Sequence, residues 1–376
     1  AKHFHGLLHG LVKVCGRDNV AIECALPKDW WAYPETSNTT FLWAYRLGQE
    51  SLNDCMGDEA VHVTRPEQGE ALLPDFKRNH VFFVEEGHTA PQHHRKILWD
   101  TRVATALMPS QHSALSFRLP YDLKHPIEDS KFRIVPEGVD LEVYHPVENP
   151  HLVRERIPVF DGITFLWVKG WTGNRWDRSG LPEMINAFAK AFKKGDKARL
   201  ICKINSVYGV PKDVVGTLKA HGVLVPECDT LIFTDNLSDE VMCHLYNASD
   251  VFVCTSYAEG FNLPLLEAMA CGKPAIYHDY GGHTDFAVGI PVPSSGEVDA
   301  QLGGGILYEG IKWKLPDVEA LAEAMRKYVE FPQLATDQGI AALERAKTLT
   351  WEYSAMQLCE AIDYSIKEGG ILNGTK

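Results

Sequence analysis

The second half of the chain alternates short apolar runs with stretches of helical spacing. Five apolar runs predict strands, at residues 163–168, 199–204, 231–234, 250–255 and 274–278. Apolar positions three and four apart predict helices between these runs, at residues 181–193, 213–221, 238–247 and 264–270. Short runs without polar alternation are typical of strands that are buried on both faces. The pattern therefore predicts a doubly wound α/β domain with a parallel sheet.

The first half shows a less regular form of the same alternation. Apolar residues at helical spacing between Phe4 and Val12 predict that the chain opens inside a helix. Strand candidates follow at residues 20–26, 41–47, 81–85, 104–108 and 132–135. Three further helices are predicted at the other end, at residues 317–329, 333–347 and 351–366. The prolines of residues 145–158 place a linker there, so we expect two α/β domains.

Composition narrows the class of protein. The chain has 376 residues, of which 45% are apolar, and this is enough for two hydrophobic cores. The formal net charge of −13 argues against binding along duplex nucleic acid, because phosphate neutralisation needs clustered Lys and Arg. Nine cysteines include no CxxC pair and no zinc-like spacing with the histidines, so we expect neither disulfides nor a metal site, and a reducing, cytoplasmic setting. No apolar run approaches the roughly 20 residues of a membrane span, which predicts a soluble protein and leaves peripheral membrane contact open.

The most informative stretch is residues 250–276, which reads strand, loop, helix, strand. Pro264 suits the first helical turn, where a missing N–H is harmless, and Gly272 suits the helix end. The free backbone N–H groups of Asn262 and Leu263 then lie at the carboxyl edge of the sheet, where open α/β folds bind ligands. We expect a phosphate or sugar oxygen to bind there.

A diphosphate needs cationic side chains beside such a helix N-terminus. The helix end contributes about 0.3–1 kcal/mol at an exposed site and up to ~2 kcal/mol when partly buried, whereas one charge-assisted hydrogen bond adds roughly 1.5–3 kcal/mol. Candidate cations follow the first two predicted strands of this half, and they are Lys169, Arg175, Arg178 and Lys203.

Two carboxylates of the same stretch have different expected roles. Glu267 sits about one turn into the predicted helix and can accept hydrogen bonds from the vicinal hydroxyls of a ribose. Glu259 lies in the preceding loop, where it can hold hydroxyls of a transferred sugar or stabilise positive charge that develops at the anomeric carbon.

Glu259 and Glu267, within EGFNLPLLEAMACGKPAI, resemble the E-x7-E signature of glycosyltransferase family 4, the retaining GT-B enzymes of glycosyl transferases group 1. Three further segments resemble that family in order, at residues 135–146, 167–188 and 237–250. The likeness covers residues 80–366 and weakens toward the start. It implies a GT-B fold, with two Rossmann-like doubly wound domains facing a cleft. The acceptor-side domain would be residues 1–148, completed by a C-terminal helix at 351–376, and the nucleotide-sugar domain residues 149–350.

The resemblance implies roles for individual residues. Glu267 would bind the ribose, and Glu259 would contact the donor sugar as a catalytic group. Lys169 and Gly170 fall in the family's phosphate-binding turn. Backbone groups of the signature loop would line the sugar and the distal phosphate, and they belong to Gly260, Phe261, Asn262 and Leu263.

In the first domain, the resemblance implies a histidine that reaches the donor sugar. His88 is the preferred candidate because it is nearest the predicted strand end, with His93 and His94 as rivals. Ser110 and the pair Glu137-Gly138 occupy comparable strand-end positions and are candidates for the acceptor side.

Three features depart from the family pattern. The family's phosphate turn ends in Lys-Gly, whereas this chain has Arg178-Ser179-Gly180, so either Arg178 or Arg175 takes that role. Asn262 stands where the family has a glycine. The family's first strand and glycine-rich loop have no counterpart before the opening helix, which leaves open whether the chain is a fragment or impaired.

The resemblance implies a retaining transferase that moves a hexose-type sugar from a nucleoside-diphosphate sugar to a glycan or lipid-linked acceptor. No cofactor is expected. Metal independence is inferred, because the chain lacks the Asp-x-Asp pair with which the other major transferase fold holds a divalent ion. The alternatives on the same fold are a phosphorylase, a sugar-nucleotide epimerase or a non-catalytic nucleotide-sugar-binding module.

Overall fold

The computed structural model describes residues 2–16, 59–63, 78–118, 127–206, 209–300 and 310–362. The strands predicted at residues 20–26 and 41–47 lie outside these ranges, and so does the end of the last predicted helix.

The chain forms two compact units. Unit 1 lies within residues 1–85, 92–140 and 348–376, and unit 2 within residues 86–91 and 141–347. The chain thus passes into unit 2 after Asp140 and returns to unit 1 after Lys347.

Among its described residues, unit 1 contains a four-stranded parallel sheet in the order β1-β2-β3-β4. Its strands are β1 (Glu59–Val63), β2 (Arg78–Phe82), β3 (Val103–Met108) and β4 (Phe132–Ile134). Its helices are α1 (Lys2–Cys15), α2 (Gln92–Trp99), α3 (Gln111–Arg118) and α10 (Trp351–Ala361). Strand β2 begins and ends earlier than predicted, because the polar residues Asn79 and His80 are buried and pair with β1. An apolar pattern cannot detect such residues.

Helices α1 and α10 approach each other at glycines. A Cβ atom at Gly10 would lie 2.1 Å from the carbonyl oxygen of Trp351, and one at Gly6 would lie 2.0 Å from the Trp351 ring. Only hydrogen fits at these positions. Lys13 and Glu352 form an ion pair of 2.7 Å across the same contact.

Unit 2 contains a six-stranded parallel sheet in the order β10-β9-β8-β5-β6-β7. Its strands are β5 (Ile163–Gly170), β6 (Ala198–Asn205), β7 (Asp229–Phe233), β8 (Val251–Cys254), β9 (Ala275–His278) and β10 (Gly289–Val292). Its helices are α4 (Leu181–Ala191), α5 (Val214–Ala220), α6 (Asp239–Asn247), α7 (Leu263–Ala270), α8 (Val318–Glu330) and α9 (Gln333–Lys347). The predicted parallel α/β organisation is confirmed in this unit.

The strand order reverses direction between β5 and β8. From β5 the chain adds β6 and β7 on one side, and it then crosses to β8 and continues to β9 and β10 on the other. Such a switch point opens a crevice at the carboxyl ends of the two central strands. The loops after β5 and β8 therefore meet where doubly wound sheets bind ligands.

A two-stranded antiparallel sheet, β11 (Ser294–Asp299) with β12 (Lys312–Pro316), was not predicted. Most of β11 is polar and exposed, so it carries no apolar pattern. Trp313 of β12 is fully buried against Tyr257 and Ala258 in the loop that follows β8. Within the ranges that the structure describes, no helix combines the length and apolar character that crossing a bilayer requires.

Candidate functional site

Asn262 precedes helix α7 as its N-cap residue and has a φ of 91°. This left-handed conformation favours glycine, and asparagine is among the few other residues that tolerate it. The side chain repays part of the cost, because its oxygen accepts a hydrogen bond from the backbone N–H of Leu265 and caps the helix. Asn262 thus adopts a backbone conformation that glycine favours and also supplies a helix cap.

Two backbone donors remain at this helix start. Among the residues that the structure describes, the N–H groups of Asn262 and Leu263 donate to no protein acceptor. They belong to the loop after β8, next to the switch point, and the helix dipole adds positive potential there. An anionic or hydroxyl oxygen can bind both groups.

Glu259 lies in the loop between β8 and α7 and is only 5% exposed. Its carboxylate forms an ion pair with Lys169 at the end of β5, and Arg178 Nη1 lies 3.8 Å from its Oε2. Burial and then the charge of Arg178 lower the pKa of Lys169 to about 7, whereas the charge of Glu86 acts in the opposite sense. Lys169 and Arg178 thus bring two basic side chains to Glu259, and the binding of a diphosphate needs such side chains.

Arg178 also contacts Glu86 and Ala258. Its guanidinium forms a 2.7 Å ion pair with Glu86 and donates to the carbonyl oxygen of Ala258 at 3.3 Å. Glu86 belongs to the segment 86–91, which clusters with unit 2. Arg178 is therefore at the signature loop, and its charge is shared between two carboxylates.

Glu267 is also only 5% exposed. It lies in α7, and its Oε2 accepts a 2.7 Å hydrogen bond from the hydroxyl of Tyr246 in α6. Burial raises the pKa of Tyr246 well above its usual range, and the charge of Glu267 raises it further, so the hydroxyl remains the donor. Both signature carboxylates are thus held by internal partners and are more buried than the sequence indicates.

The turn before α4 packs tightly against the loop after β8. Gly180 has a φ of +68°, and a Cβ atom there would lie 2.0 Å from the carbonyl oxygen of Thr255. The hydroxyl of Thr255 donates to the carbonyl oxygen of Gly180 at 2.9 Å and accepts from Trp167 Nε1 at 3.0 Å. Glycine is required at position 180 because no side chain fits there.

His278, at the end of β9, holds the same loop from the opposite side. Its Nδ1 lies 2.8 Å from the carbonyl oxygen of Ser256, and its Nε2 lies 2.8 Å from the hydroxyl of Ser294. Because a carbonyl oxygen can only accept, Nδ1 is the donor, and Nε2 of the neutral ring accepts from the serine hydroxyl. Burial lowers the pKa of His278 to about 4, so the ring is neutral at pH 7. The backbone N–H of Gly282 also donates to the carbonyl oxygen of Glu259 at 2.7 Å.

The remaining cations differ in their surroundings. Arg175 forms a 2.7 Å ion pair with the buried Glu183 and does not join Lys169 at Glu259 in the described contacts. Lys203 is 4% exposed at the end of β6, and its Nζ donates only to the carbonyl oxygen of Ile204, at 3.3 Å, among the described residues. Burial lowers the pKa of Lys203.

Other predicted residues of the signature region line the loop. Gly170 ends β5, Gly260 follows Glu259, and Phe261 is buried with its ring centroid 4.6 Å from that of Phe286. Leu263 is the first residue of α7 and is partly exposed.

The histidine candidates are placed differently. His88 is exposed, in the segment 86–91. His94 is buried, and its Nδ1 pairs with Glu85 at 2.8 Å within unit 1. His93 lies in α2, but its side chain is outside the described part.

The acceptor candidates lie in unit 1. Ser110 is fully buried, and its hydroxyl accepts from the backbone N–H of Ser113 at the start of α3. Glu137 is buried, and Gly138 lies against the backbone of Thr350. These positions stay predictions.

Several residues of the site were missed by sequence reasoning. Tyr246 stands in a segment that was recognised, but nothing local indicates that it contacts Glu267. Glu183 contacts Tyr257, and His278 contacts Ser256, only because the neighbouring strands β5, β8 and β9 bring these distant parts of the sequence together.

Comparison with known sequences identifies the region that carries the site. Residues 180–289 match the sequence model of the family described as Glycosyl transferases group 1. Over these residues the chain is similar to that family. Glu259, Glu267, Tyr246 and Gly180 all lie within it, so the family resemblance is confirmed at the site.

Among curated relatives, the chain is similar to the D-inositol 3-phosphate glycosyltransferase of Kribbella flavida, with 25% identity over 236 residues. That match covers 61% of this chain and 50% of the relative. The chain therefore spans half or less of the length of the relatives it matches first.

Two solved structures show the same fold. WaaG, a glycosyltransferase involved in lipopolysaccharide biosynthesis, has a TM-score of 0.60 at 15% identity and covers 96% of each chain. Anabaena HepE in complex with UDP-glucose has a TM-score of 0.54 at 17% identity and covers 77% of this chain and 72% of that one. The predicted GT-B fold is confirmed by these likenesses.

Proposed function

We propose that the chain is a retaining glycosyltransferase that moves a hexose-type sugar from a nucleoside-diphosphate sugar to a glycan or lipid-linked acceptor. The observation that carries the proposal is the meeting of Lys169 and Arg178 at Glu259, beside the donor N–H groups of α7. Glu259 and the start of α7 lie within the residues that match the family, and Lys169 and Arg178 precede them in the chain. Basic side chains and backbone N–H groups are thus available for the diphosphate of a donor, and Glu259 is available for its sugar.

The donor diphosphate binds to Arg178, Lys169 and the N–H groups of Asn262 and Leu263. Each charge-assisted hydrogen bond adds roughly 1.5–3 kcal/mol, and the helix end adds up to ~2 kcal/mol. Together they are large enough to hold a diphosphate. Lys203, a buried cation with a single described carbonyl partner, is a further donor to the nucleotide.

Glu267 accepts hydrogen bonds from the ribose, held in place by Tyr246. Glu259 contacts hydroxyls of the donor sugar and stabilises positive charge at the anomeric carbon as the leaving group departs. In this mechanism attack and departure occur on one face, and the leaving phosphate helps to deprotonate the acceptor, so no nucleophilic side chain is needed. His88 acts as a hydrogen-bond partner of the donor sugar.

Metal independence is part of the proposal, because cationic side chains and the helix dipole stabilise the departing nucleoside diphosphate. Within the described ranges, His, Cys, Asp and Glu side chains form no group of three or more suited to a metal ion. The test is activity in the presence of a chelator, where we expect no loss.

The first experiment is a thermal-shift screen with UDP, GDP and ADP and their glucose conjugates. UDP-glucose is the first donor to test because it is bound by HepE. Release of the nucleoside diphosphate from the best donor is then measured with the unmodified chain and with Glu259→Gln. We expect tight binding in both and release that is slower by at least about tenfold in the variant.

Stereochemistry and reaction type follow from the same assay. The anomeric proton of the released sugar, recorded by NMR before mutarotation, should show the configuration of the donor. Release that requires free phosphate would indicate a phosphorylase, and isomerised donor without release would indicate an epimerase. If the unmodified chain and Glu259→Ala both bind donors but turn none over, the chain is a non-catalytic nucleotide-sugar-binding module.

A further inference from the structure

Three side chains join the turn before α4 to the loop that carries Glu259. Glu183 in the first turn of α4 is 4% exposed, and Tyr257 is fully buried. The hydroxyl of Tyr257 donates to Glu183 Oε2, and Arg175 Nη1 pairs with Oε1 at 2.7 Å. Both oxygens of a buried carboxylate are therefore satisfied within the protein.

The guanidinium of Arg175 is directed into this group. Its Nη1 lies 3.4 Å from the hydroxyl oxygen of Tyr257, and its central carbon lies 4.2 Å from the ring centroid of Trp176. Burial acts to lower the pKa of Arg175, but the charge and hydrogen bond of Glu183 outweigh it and raise the pKa. Arg175 is thus a charged partner of Glu183, with little freedom to reach a ligand.

Tyr257 is also fixed through its backbone. Its N–H donates to the carbonyl oxygen of Arg178 at 2.8 Å, and its carbonyl oxygen accepts from the N–H of Lys314 in β12 at 3.3 Å. Glu259 follows two residues later, and the intervening carbonyl, at Ala258, accepts from Arg178. A displacement of Tyr257 therefore changes the position of Glu259 relative to Arg178.

Arg175, Glu183 and Tyr257 together are called the Tyr257 anchor. We infer that this anchor positions Glu259 against Arg178 for sugar transfer and does not bind the donor. This inference rests on the proposed function. A nucleoside diphosphate without a sugar binds Lys169 and Arg178 but makes no contact with Glu259 itself, so its binding tolerates a shift of Glu259 when the anchor is loosened. Transfer requires both groups in place at once, and a misplacement of about 1 Å can cost on the order of a hundredfold in rate.

The test compares two buried tyrosines. Tyr257→Phe removes the hydroxyl of the anchor, and Tyr328→Phe removes a hydroxyl that donates to Gln338 in the α8–α9 contact. The probes are the nucleoside diphosphate among UDP, GDP and ADP that most stabilises the unmodified chain, and its glucose conjugate. In Tyr257→Phe we expect the Kd of the nucleoside diphosphate to change by less than about twofold and kcat for its release from the conjugate to fall by at least about tenfold.

Glu183→Gln, which keeps the shape and removes the charge, should show the same separation of Kd and kcat. Tyr328→Phe should change neither the Kd nor the kcat, although it should lower Tm by about as much as Tyr257→Phe does. A Tyr257→Phe protein that behaves like Tyr328→Phe overturns the inference, and so does an equal loss of binding and turnover. An unmodified chain that neither binds nor cleaves any probe overturns the proposed function itself.

Discussion

The hydroxyl of Tyr246 donates a 2.7 Å hydrogen bond to Glu267 between helices α6 and α7. Tyr246 is fully buried, and burial together with the charge of Glu267 keeps its hydroxyl protonated. The carboxylate is therefore fixed in one orientation before any ligand arrives. Preorganisation of this kind lowers the ordering cost of binding.

A ribose contact at Glu267 can be tested with a pair of nucleotides. The unmodified chain should bind 2′-deoxy-UDP about tenfold more weakly than UDP, because one hydrogen bond to a charged group is lost. In Glu267→Ala the two nucleotides should bind alike. Isothermal titration measures both affinities, and an undiminished preference for UDP in the variant would place the ribose elsewhere.

Arg178 is expected to bind phosphate. Arg178→Gln should weaken UDP binding by roughly 10- to 100-fold, because a charge-assisted hydrogen bond is removed from a partly buried site. Lys190→Gln is the matched control, since it removes an equal charge from an exposed ion pair with Glu319. Similar losses in the two variants would show that only net charge matters.

His278 predicts a pH dependence of stability. Its pKa of about 4 in the folded protein lies below the ordinary value of 6.5. Between these values the unfolded chain takes up a proton that the folded protein does not, so stability falls as pH falls from 6.5 toward 4. At pH 5 this group alone costs on the order of 2 kcal/mol relative to pH 7.

Urea denaturation of the unmodified chain and of His278→Gln between pH 4 and 7 isolates that contribution. Carboxylates titrate in both proteins, so the difference between the two curves belongs to His278. We expect the free energy of unfolding to fall less steeply in the variant. Parallel curves would rule out the buried neutral ring.

The contact between α1 and α10 predicts a destabilising alanine. In Gly10→Ala the helix propensity improves by about 1 kcal/mol, but the new methyl group overlaps the backbone of Trp351, and overpacking costs typically 1–3 kcal/mol or more. We expect a net loss of stability, measured as a lower Tm. Gly296→Ala is the control, because no atom lies within 4 Å of its added Cβ, and an unchanged Tm for Gly10→Ala would mean that the helices separate readily.

The fold of unit 2 could be predicted because local signals agree with the tertiary structure. Asp213, Ser238 and Asp317 cap the helices that follow them, and the apolar strands are buried on both faces. The helix predicted at residues 264–270 begins one residue earlier, at Leu263, and Pro264 marks its first turn. Local rules succeed where each element specifies its own ends.

The rest depended on long-range pairing. Strand β1 and the sheet formed by β11 and β12 carry little apolar alternation and form because a neighbouring strand pairs with them. The partners of Arg175 and Arg178 were left open for the same reason. Two arginines three residues apart look equivalent in sequence, and only folding directs one to Glu183 and the other to Glu259.

Unit 1 is interrupted along the chain by unit 2. Val139 bridges to Thr350, and α1 packs on α10, so contacts of unit 1 span more than 200 residues of intervening chain. During synthesis on the ribosome, the stretch from residue 141 to 347 is completed before α10 is made. Unit 2 can therefore fold first, before α10 is available to pack on unit 1. In that interval unit 1 exposes the apolar surface that α10 later covers, and chaperones that bind apolar surfaces can bind there.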